Sequence, residues 1–420
     1  HLLRFLRSLE EQPFQLLSFS LAFLGLIFTR LAIEGSIGNF QSHQASFFYY
    51  EFSHTFFFFT FSFLVFLPVL SFFAKTTLAK TANILLFGFL IILTPPLVDK
   101  LIFGSEVFWS FYEFDGPQGL LLRYFTLFGE TPQIGITYGV RLEVVLVSLG
   151  SAFYAFWKTK SWLRGVLTAI ALYTILFILG TFPSWIAFIL ELPHQIPLSV
   201  TRLDVASWFL TPERILGRDL PEMRSVLNMK MSLFYGVLVL LAGFLLMKKA
   251  VPQHVTALWQ NARLPQVIYH CGLVSLGALL ALVFEDLSLR FTAFEIVAFF
   301  LLLAASVSAW LASVIINDLN DTKIDRLTNA SRPLIVGAIE EKTYAAYGFL
   351  FFLASLLLAG LASFHAFFLF FLYQAVAWIY SVPPFRLKRF PVIATLLASF
   401  AGFFVLASGY LALSEAGSLA

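Results

Sequence analysis

The chain has 420 residues, 59% of them hydrophobic and only 12% charged, with a net charge of +3. A soluble domain is closer to half apolar and a quarter charged, so the composition excludes a soluble globular enzyme and describes an all-α integral membrane protein. The single cysteine, Cys271, lies inside an apolar run, which excludes a disulfide framework and a thiolate metal site. No nucleic-acid partner is expected.

At about 20 apolar residues per crossing, about eleven spans are predicted. They lie near 14–33, 55–74, 82–98, 135–156, 163–190, 230–247, 265–284, 291–316, 343–362, 365–381 and 391–412. No small-residue cleavage pattern follows the first, so no secretory signal is read. The fifth is long and contains Pro183, which predicts a kink or a span followed by an interfacial piece. The second is rich in Phe, which packs against lipid or protein equally well. Arg4 and Arg7 precede the first span, and Lys75 and Lys80 follow the second. Lys158, Lys160 and Arg164 follow the fourth, Lys248, Lys249 and Arg263 the sixth, and Arg386, Lys388 and Arg389 the tenth. Alternation puts all of them on one side, the cytoplasmic one. The other face carries longer segments near 34–54, 99–134 and 191–229, the last suited to an amphipathic surface helix. The polar linker Lys248–Leu264 suggests a boundary between a six-span unit, 1–250, and a five-span unit, 251–420.

The most informative stretch is Asn317 to Pro333, after the eighth span. Asp318, Asp321 and Asp325 stand at i, i+3 and i+7. At about 100° per residue they share a narrow arc of a helix, with Asn317 at its edge. Carboxylates so arranged repel one another unless a cation sits among them, and hard oxygen ligands suit Mg²⁺. Mg²⁺ keeps several waters, takes one or two carboxylates and bridges to phosphates. The stretch is therefore expected to be half of a metal–diphosphate clamp on the cytoplasmic side.

The segment Tyr380–Pro391 ends the tenth span with a tyrosine, a proline pair and three cations. Pro383 and Pro384 stop the helix and force a turn. That turn can aim Arg386, Lys388 and Arg389 at diphosphate oxygens, although positive-inside topology alone also accounts for such a cluster.

Together the two segments resemble the UbiA superfamily of intramembrane prenyltransferases. The family's first signature is Asn-Asp, two residues, Asp, three residues, Asp, met here by Asn317-Asp318, Asp321 and Asp325. Arg332-Pro333-Leu334 and Gly337 follow as in the family, and Tyr380-Ser381, Pro383-Pro384 and Arg386-Leu387-Lys388 match its later segment. Asn261 to Pro265, with Arg263, is similar to the start of its first helix, so the resemblance covers about 258–420. It implies that the last five helices form the first half of a UbiA-type bundle. It implies an enzyme that transfers a polyprenyl group from its diphosphate to a small or lipid acceptor, with Mg²⁺ as cofactor and membrane lipid around it. Asp318, Asp321 and Asp325 would hold the metal with Asn317 in support, Arg332, Arg386 and Lys388 the diphosphate, and Tyr380 and Arg263 would join the substrate site. Asp318, Asp321, Asp325 and Lys388 are the catalytic candidates. Phosphoribosyl transfer to a polyprenyl phosphate uses the same scaffold and is the alternative; a transporter or non-catalytic membrane protein is the other. The family has nine helices and a second Asp-rich motif between its sixth and seventh. This chain begins at His1 and stops after what would be the fifth helix, with only Glu415 as an acid after Lys388. It therefore reads as a fragment with a half-built site, inactive by itself.

The first unit resembles no family. Glu51 and His54 share a helix face beside Tyr49 and Tyr50 and suit a metal or a headgroup, but an interfacial aromatic belt explains them as well. Arg141 and Glu143, two apart, do not face each other. In the second unit, His270 and Gln374 read as packing polars, and Glu295 as an ionisable group well inside its span.

Overall fold

The computed structural model describes residues 2–37, 45–104, 106, 108–130, 133–194, 197–220, 222–285 and 292–414; Glu415 lies outside them. Eleven helical segments among these residues are long and apolar enough to cross a membrane. They are α1 (Leu16–Ile37), α2 (Ala45–Ala74), α3 (Leu78–Phe103), α4 (Tyr138–Thr159), α5 (Trp162–Gly180) and α6 (Met223–Ala250). Then follow α7 (Leu264–Phe284), α8 (Ala293–Thr328), α9 (Glu341–Ala362), α10 (Phe364–Ser381) and α11 (Pro391–Leu413). The protein is an all-α integral membrane protein, as its composition requires.

The chain divides into two compact units, His1–Thr211 with Met223–Met231, and Pro212–Glu222 with Ser232–Ala420. The division falls inside α6, ahead of the linker Lys248–Leu264. Much of that linker is itself a helix, Pro252–Asn261. His254 Nδ1 lies 2.8 Å from the Tyr347 hydroxyl of α9, so the linker packs within the second unit.

In the first unit the aromatic surface of α2 is used for packing. Phe63 meets Phe23 of α1 and Phe89 of α3 with ring centroids 5.5 and 5.3 Å apart, a spacing at which aromatic pairs attract. The middle of α3, Phe89–Leu93, tightens to a 3-10 turn. Asp99 near the end of α3 is 1% exposed and caps the start of α4, accepting from Thr137 Oγ1 at 2.6 Å and Gly139 N at 2.8 Å. The Gly139 contact supplies a partner that a backbone N–H in the first turn of a helix otherwise lacks. Gly139 is required there, because a Cβ would stand 2.3 Å from the Pro95 carbonyl oxygen. The fifth predicted span resolves into two helices: α5 stops at Gly180, and Phe182–Glu191 begins afresh with Pro183 in its first turn, where a proline costs no hydrogen bond. Beyond it, Arg202–Leu210 is a short helix with a Thr201–Asp204 capping box.

In the second unit Glu213–Ile215 and Arg218–Leu220 form an antiparallel hairpin, and Gly217 N donates to Ala412 O at 2.8 Å. Helices α7 and α11 touch through glycines. A Cβ on Gly277 would lie 1.9 Å from Leu406 O, and one on Gly409 2.0 Å from Val274 O. Backbones approach this closely in membranes only where side chains are absent or small. Glu295 sits in the first turn of α8 and closes a capping box with Thr292; it is a helix cap and not a mid-span ionisable group. His270 Nε2 meets the Tyr373 hydroxyl at 3.1 Å, and Gln374 Nε2 donates to Ser355 Oγ at 3.2 Å.

Helix α8 is what positions the candidate site. Its 36 residues run about 54 Å at 1.5 Å each, against about 30 Å of hydrocarbon. The span predicted to stop near 316 therefore continues unbroken to Thr328. The helix carries the acidic stripe on a rigid extension rather than on a loop.

Candidate functional site

Asn317, Asp318, Asp321 and Asp325 occupy the extended end of α8. The surroundings divide the stripe into two edges. Among the described residues no three His, Cys, Asp or Glu side chains converge to hold a metal.

One edge of the stripe is Asp318, 2% exposed. Asn261 Nδ2 donates to its Oδ2 at 2.7 Å, and the Tyr344 hydroxyl donates to the same oxygen at 2.9 Å. Asn261 also bonds the Tyr344 hydroxyl at 2.8 Å and accepts from Arg332 Nη1 at 2.6 Å. That same Arg332 nitrogen stands 3.4 Å from Asp318 Oδ1, too poorly aligned for a hydrogen bond. Asn261 ends the helix Pro252–Asn261, and Ala262 behind it is anchored by Trp310 Nε1 at 2.7 Å. Arg263 begins α7 from a left-handed backbone, φ 54°, with its guanidinium 6.0 Å from the centre of the Trp310 ring. Burial and the neighbouring Arg332 push the Arg263 pKa down from its usual value, while Asp318 and Asp325 pull it up. Asp325, two turns on, is 4% exposed; its Oδ1 accepts from Asn329 Nδ2 at 2.9 Å, and its Oδ2 is buried without a hydrogen bond. The chain then turns through Arg332-Pro333-Leu334, with Gly337 at φ 67° in the region that favours glycine.

The other edge is Asn317 and Asp321, which meet the turn after α10. Arg386 Nη2 donates to Asp321 Oδ1 at 2.7 Å, and Lys388 Nζ bonds Asp321 Oδ2 and, at 2.7 Å, Asn317 Oδ1. Ser381 Oγ donates to Asn317 Oδ1 at 3.3 Å. Helix α10 stops at Ser381 ahead of the two prolines. Arg386 lies at φ 40° and bonds back to Val382 O at 2.9 Å. A non-glycine residue there costs of order 1–3 kcal/mol, and this one aims its side chain at α8. Arg389 departs from its neighbours: it is exposed and lies over the Phe390 ring at 4.9 Å.

Of the residues read from the sequence, Asn317, Asp318, Asp321, Asp325, Arg332, Arg386 and Lys388 come together at this end of the unit, and Arg263 lies beside them. Tyr380 is half-buried in the last turn of α10 without a hydrogen bond to the acids. Tyr344 and Ser381 joined no charge pattern and were missed as partners of the acids. Tyr344 is one aromatic residue among many in apolar spans, and no local spacing marks it.

The donor set fits Mg²⁺ in chemistry. Asp318 Oδ1 and Asp325 Oδ2 are buried carboxylate oxygens without hydrogen bonds, and such oxygens are the ligands Mg²⁺ prefers. Buried acceptors are otherwise nearly always satisfied. The neighbouring cations suit the phosphate oxygens a metal leaves uncovered.

No curated protein and no solved structure matches the chain. Residues 272–420, which carry both the acidic stripe and the basic turn, match the model of the UbiA prenyltransferase family.

Proposed function

We propose that the extended end of α8 and the turn after α10 bind the diphosphate of a polyprenyl diphosphate with Mg²⁺, and that the polyprenyl group passes to an acceptor in the membrane. The observation that carries this reading is the pairing of two buried, incompletely satisfied carboxylates with a preformed Lys388–Arg386 pair one turn away. Asp318 and Asp325 would hold the metal, with Asp321 and Asn317 keeping Lys388 and Arg386 in position. When bound, Mg²⁺ supplies counter-charge to the diphosphate.

The reaction breaks the bond between the prenyl carbon and the diphosphate oxygen, and the electron pair leaves with the diphosphate. An acceptor nucleophile forms the new bond and gives up its proton. Lys388, Arg386 and Arg332 would meet the charge growing on the departing group, the kind of stabilisation that contributes most to such transfers. The polyprenyl tail would lie among the apolar helices. The loop cations support a cytoplasmic site; a cysteine at Asn329 should then be modified from the cytoplasmic side of intact cells only.

The test moves one charge. In the complete enzyme, Lys388→Gln should lower turnover or prenyl diphosphate affinity about tenfold or more, the effect of one charge-assisted contact. Combining it with Leu387→Lys restores the loop charge at the wrong place. That double variant should stay as impaired as the single one; parent-like activity would show that the cluster sets topology alone.

A further inference from the structure

The first unit encloses a cavity of about 450 Å³, within the range of small-molecule sites. Its wall follows α4 from Val140 to Tyr154. At 1.5 Å per residue those 14 steps are about 21 Å, so the cavity is long for its volume. Most of the wall is aromatic and aliphatic, with Phe58, Phe66 and Phe89 among it. A long cavity with apolar walls suits a hydrocarbon chain.

One end is polar. The last turns of α1 bring Arg30 and Glu34, the first turns of α2 bring Glu51 and His54, and α4 brings Glu143. Most of this charge is matched already. Arg30 Nη2 lies 3.5 Å from Glu34, Glu51 is paired with Arg224, and His54 meets the Tyr112 hydroxyl. Two groups remain. Arg30 is 7% exposed, and its Nη1 is buried with no hydrogen-bond partner. Glu143 faces the same cavity within electrostatic reach of Arg30 and has no side-chain hydrogen bond among the described residues. An orphaned guanidinium N–H inside a membrane domain is costly. It calls for an acceptor, and Glu143 calls for a donor.

We propose that this cavity binds one single-chain amphipathic lipid with an uncharged hydroxyl head, a long-chain or prenyl alcohol. The hydroxyl oxygen accepts from Arg30 Nη1, its proton is donated to Glu143, and the chain lies along the phenylalanine-lined bore. An anionic head is disfavoured because Arg30 and Arg224 already have Glu34 and Glu51 as counter-charges, which leaves Glu143 as the unmatched acid. The site is independent of the acidic stripe on α8.

The probe is hexadecanol carrying a photoactivatable diazirine near its chain end, used on the purified full chain in detergent. Saturable labelling is expected in peptides of α2 and α4. Unlabelled hexadecanol should compete about tenfold better than hexadecyl phosphate, about the value of the two head contacts over a repelled anion. Val147→Trp fills the bore and should reduce capture at least tenfold. Glu143→Leu should weaken capture of the alcohol about tenfold while leaving capture of a diazirine hexadecane unchanged, a separation that a folding defect would not produce. Non-saturable label spread over the lipid-facing helices overturns the cavity as a site. Equal capture by a well-folded Val147→Trp does the same, and better competition by hexadecyl phosphate overturns the uncharged head. The competition on the unaltered chain decides the matter even where a variant fails to fold.

Discussion

Asp318 and Asp321 stand three residues apart on one face of α8, yet the fold surrounds them with different chemistry. Asp318 is buried among Asn261, Tyr344 and Arg332, and one of its oxygens is left without a hydrogen bond. Asp321 is paired with two cations on a turn, and both of its oxygens are engaged. A buried carboxylate with an open oxygen suits an incoming cation, whereas one saturated by Lys and Arg already has its counter-charge and positions it. The same residue type at helical spacing thus divides into a buried edge with an open carboxylate oxygen and an edge that holds two cations.

Removing Asp318 should give the largest effect. Asp318→Ala leaves Arg332 beside a void in a buried network, and breaking such a pair costs about 3–5 kcal/mol. Its thermal unfolding midpoint in detergent should fall by several degrees. Asp318→Asn keeps the shape and should unfold near the parent while losing Mg²⁺-dependent turnover in the full-length protein. If the Asn variant turned over like the parent, Asp318 would be structural and the comparison would collapse.

Next in size is Asp321→Asn, which frees Lys388 and Arg386 without disturbing the buried edge. A charge-assisted bond contributes about 1.5–3 kcal/mol, so kcat/KM for prenyl diphosphate should drop about ten- to a hundredfold at nearly unchanged stability. A large stability loss with little kinetic effect would reverse the roles of the two edges.

How far the two edges were legible in the sequence follows from how local their contacts are. Spacings of three and four residues put the carboxylates on one arc of any helix, and a proline pair before three cations implies a turn, so both halves could be read from neighbours. The network around Asp318 could not. Asn261 reaches it across 57 residues and Tyr344 across 26, and no periodicity encodes such pairings. The eleven spans were legible because bilayer thickness sets their length. The continuation of α8 past 316 was not, because polarity there resembles that of a loop. In the first unit, Glu51 and His54 read as a belt, but their partners Arg224 and Tyr112 lie 173 and 58 residues away. Arg30 gave no motif at all.

Two smaller changes sharpen the comparison. Tyr344→Phe deletes one hydroxyl from the buried edge and should cost about 1.5–3 kcal/mol of stability, the usual value of a hydrogen bond to a charged group. Chemical denaturation in mixed micelles reads it, and a change far above that would mean the hydroxyl holds the whole network. Arg389→Gln should stay within about 0.5 kcal/mol and keep parental kinetics, since Arg389 is exposed over Phe390 and takes no part in either edge. Loss of turnover in this variant would place it among the diphosphate ligands with Lys388.

The claim that the two edges together bind a metal diphosphate is tested most directly by calorimetric titration of farnesyl diphosphate into the purified chain. The titration is run with Mg²⁺ and with EDTA, on the parent and on Asp318→Asn. The parent should bind at least tenfold more tightly with Mg²⁺ than without, and Asp318→Asn should lose that difference while retaining the weaker metal-free binding that Lys388 and Arg386 provide. Equal affinity of the parent in Mg²⁺ and EDTA, or an undiminished Mg²⁺ dependence in Asp318→Asn, would contradict the assignment.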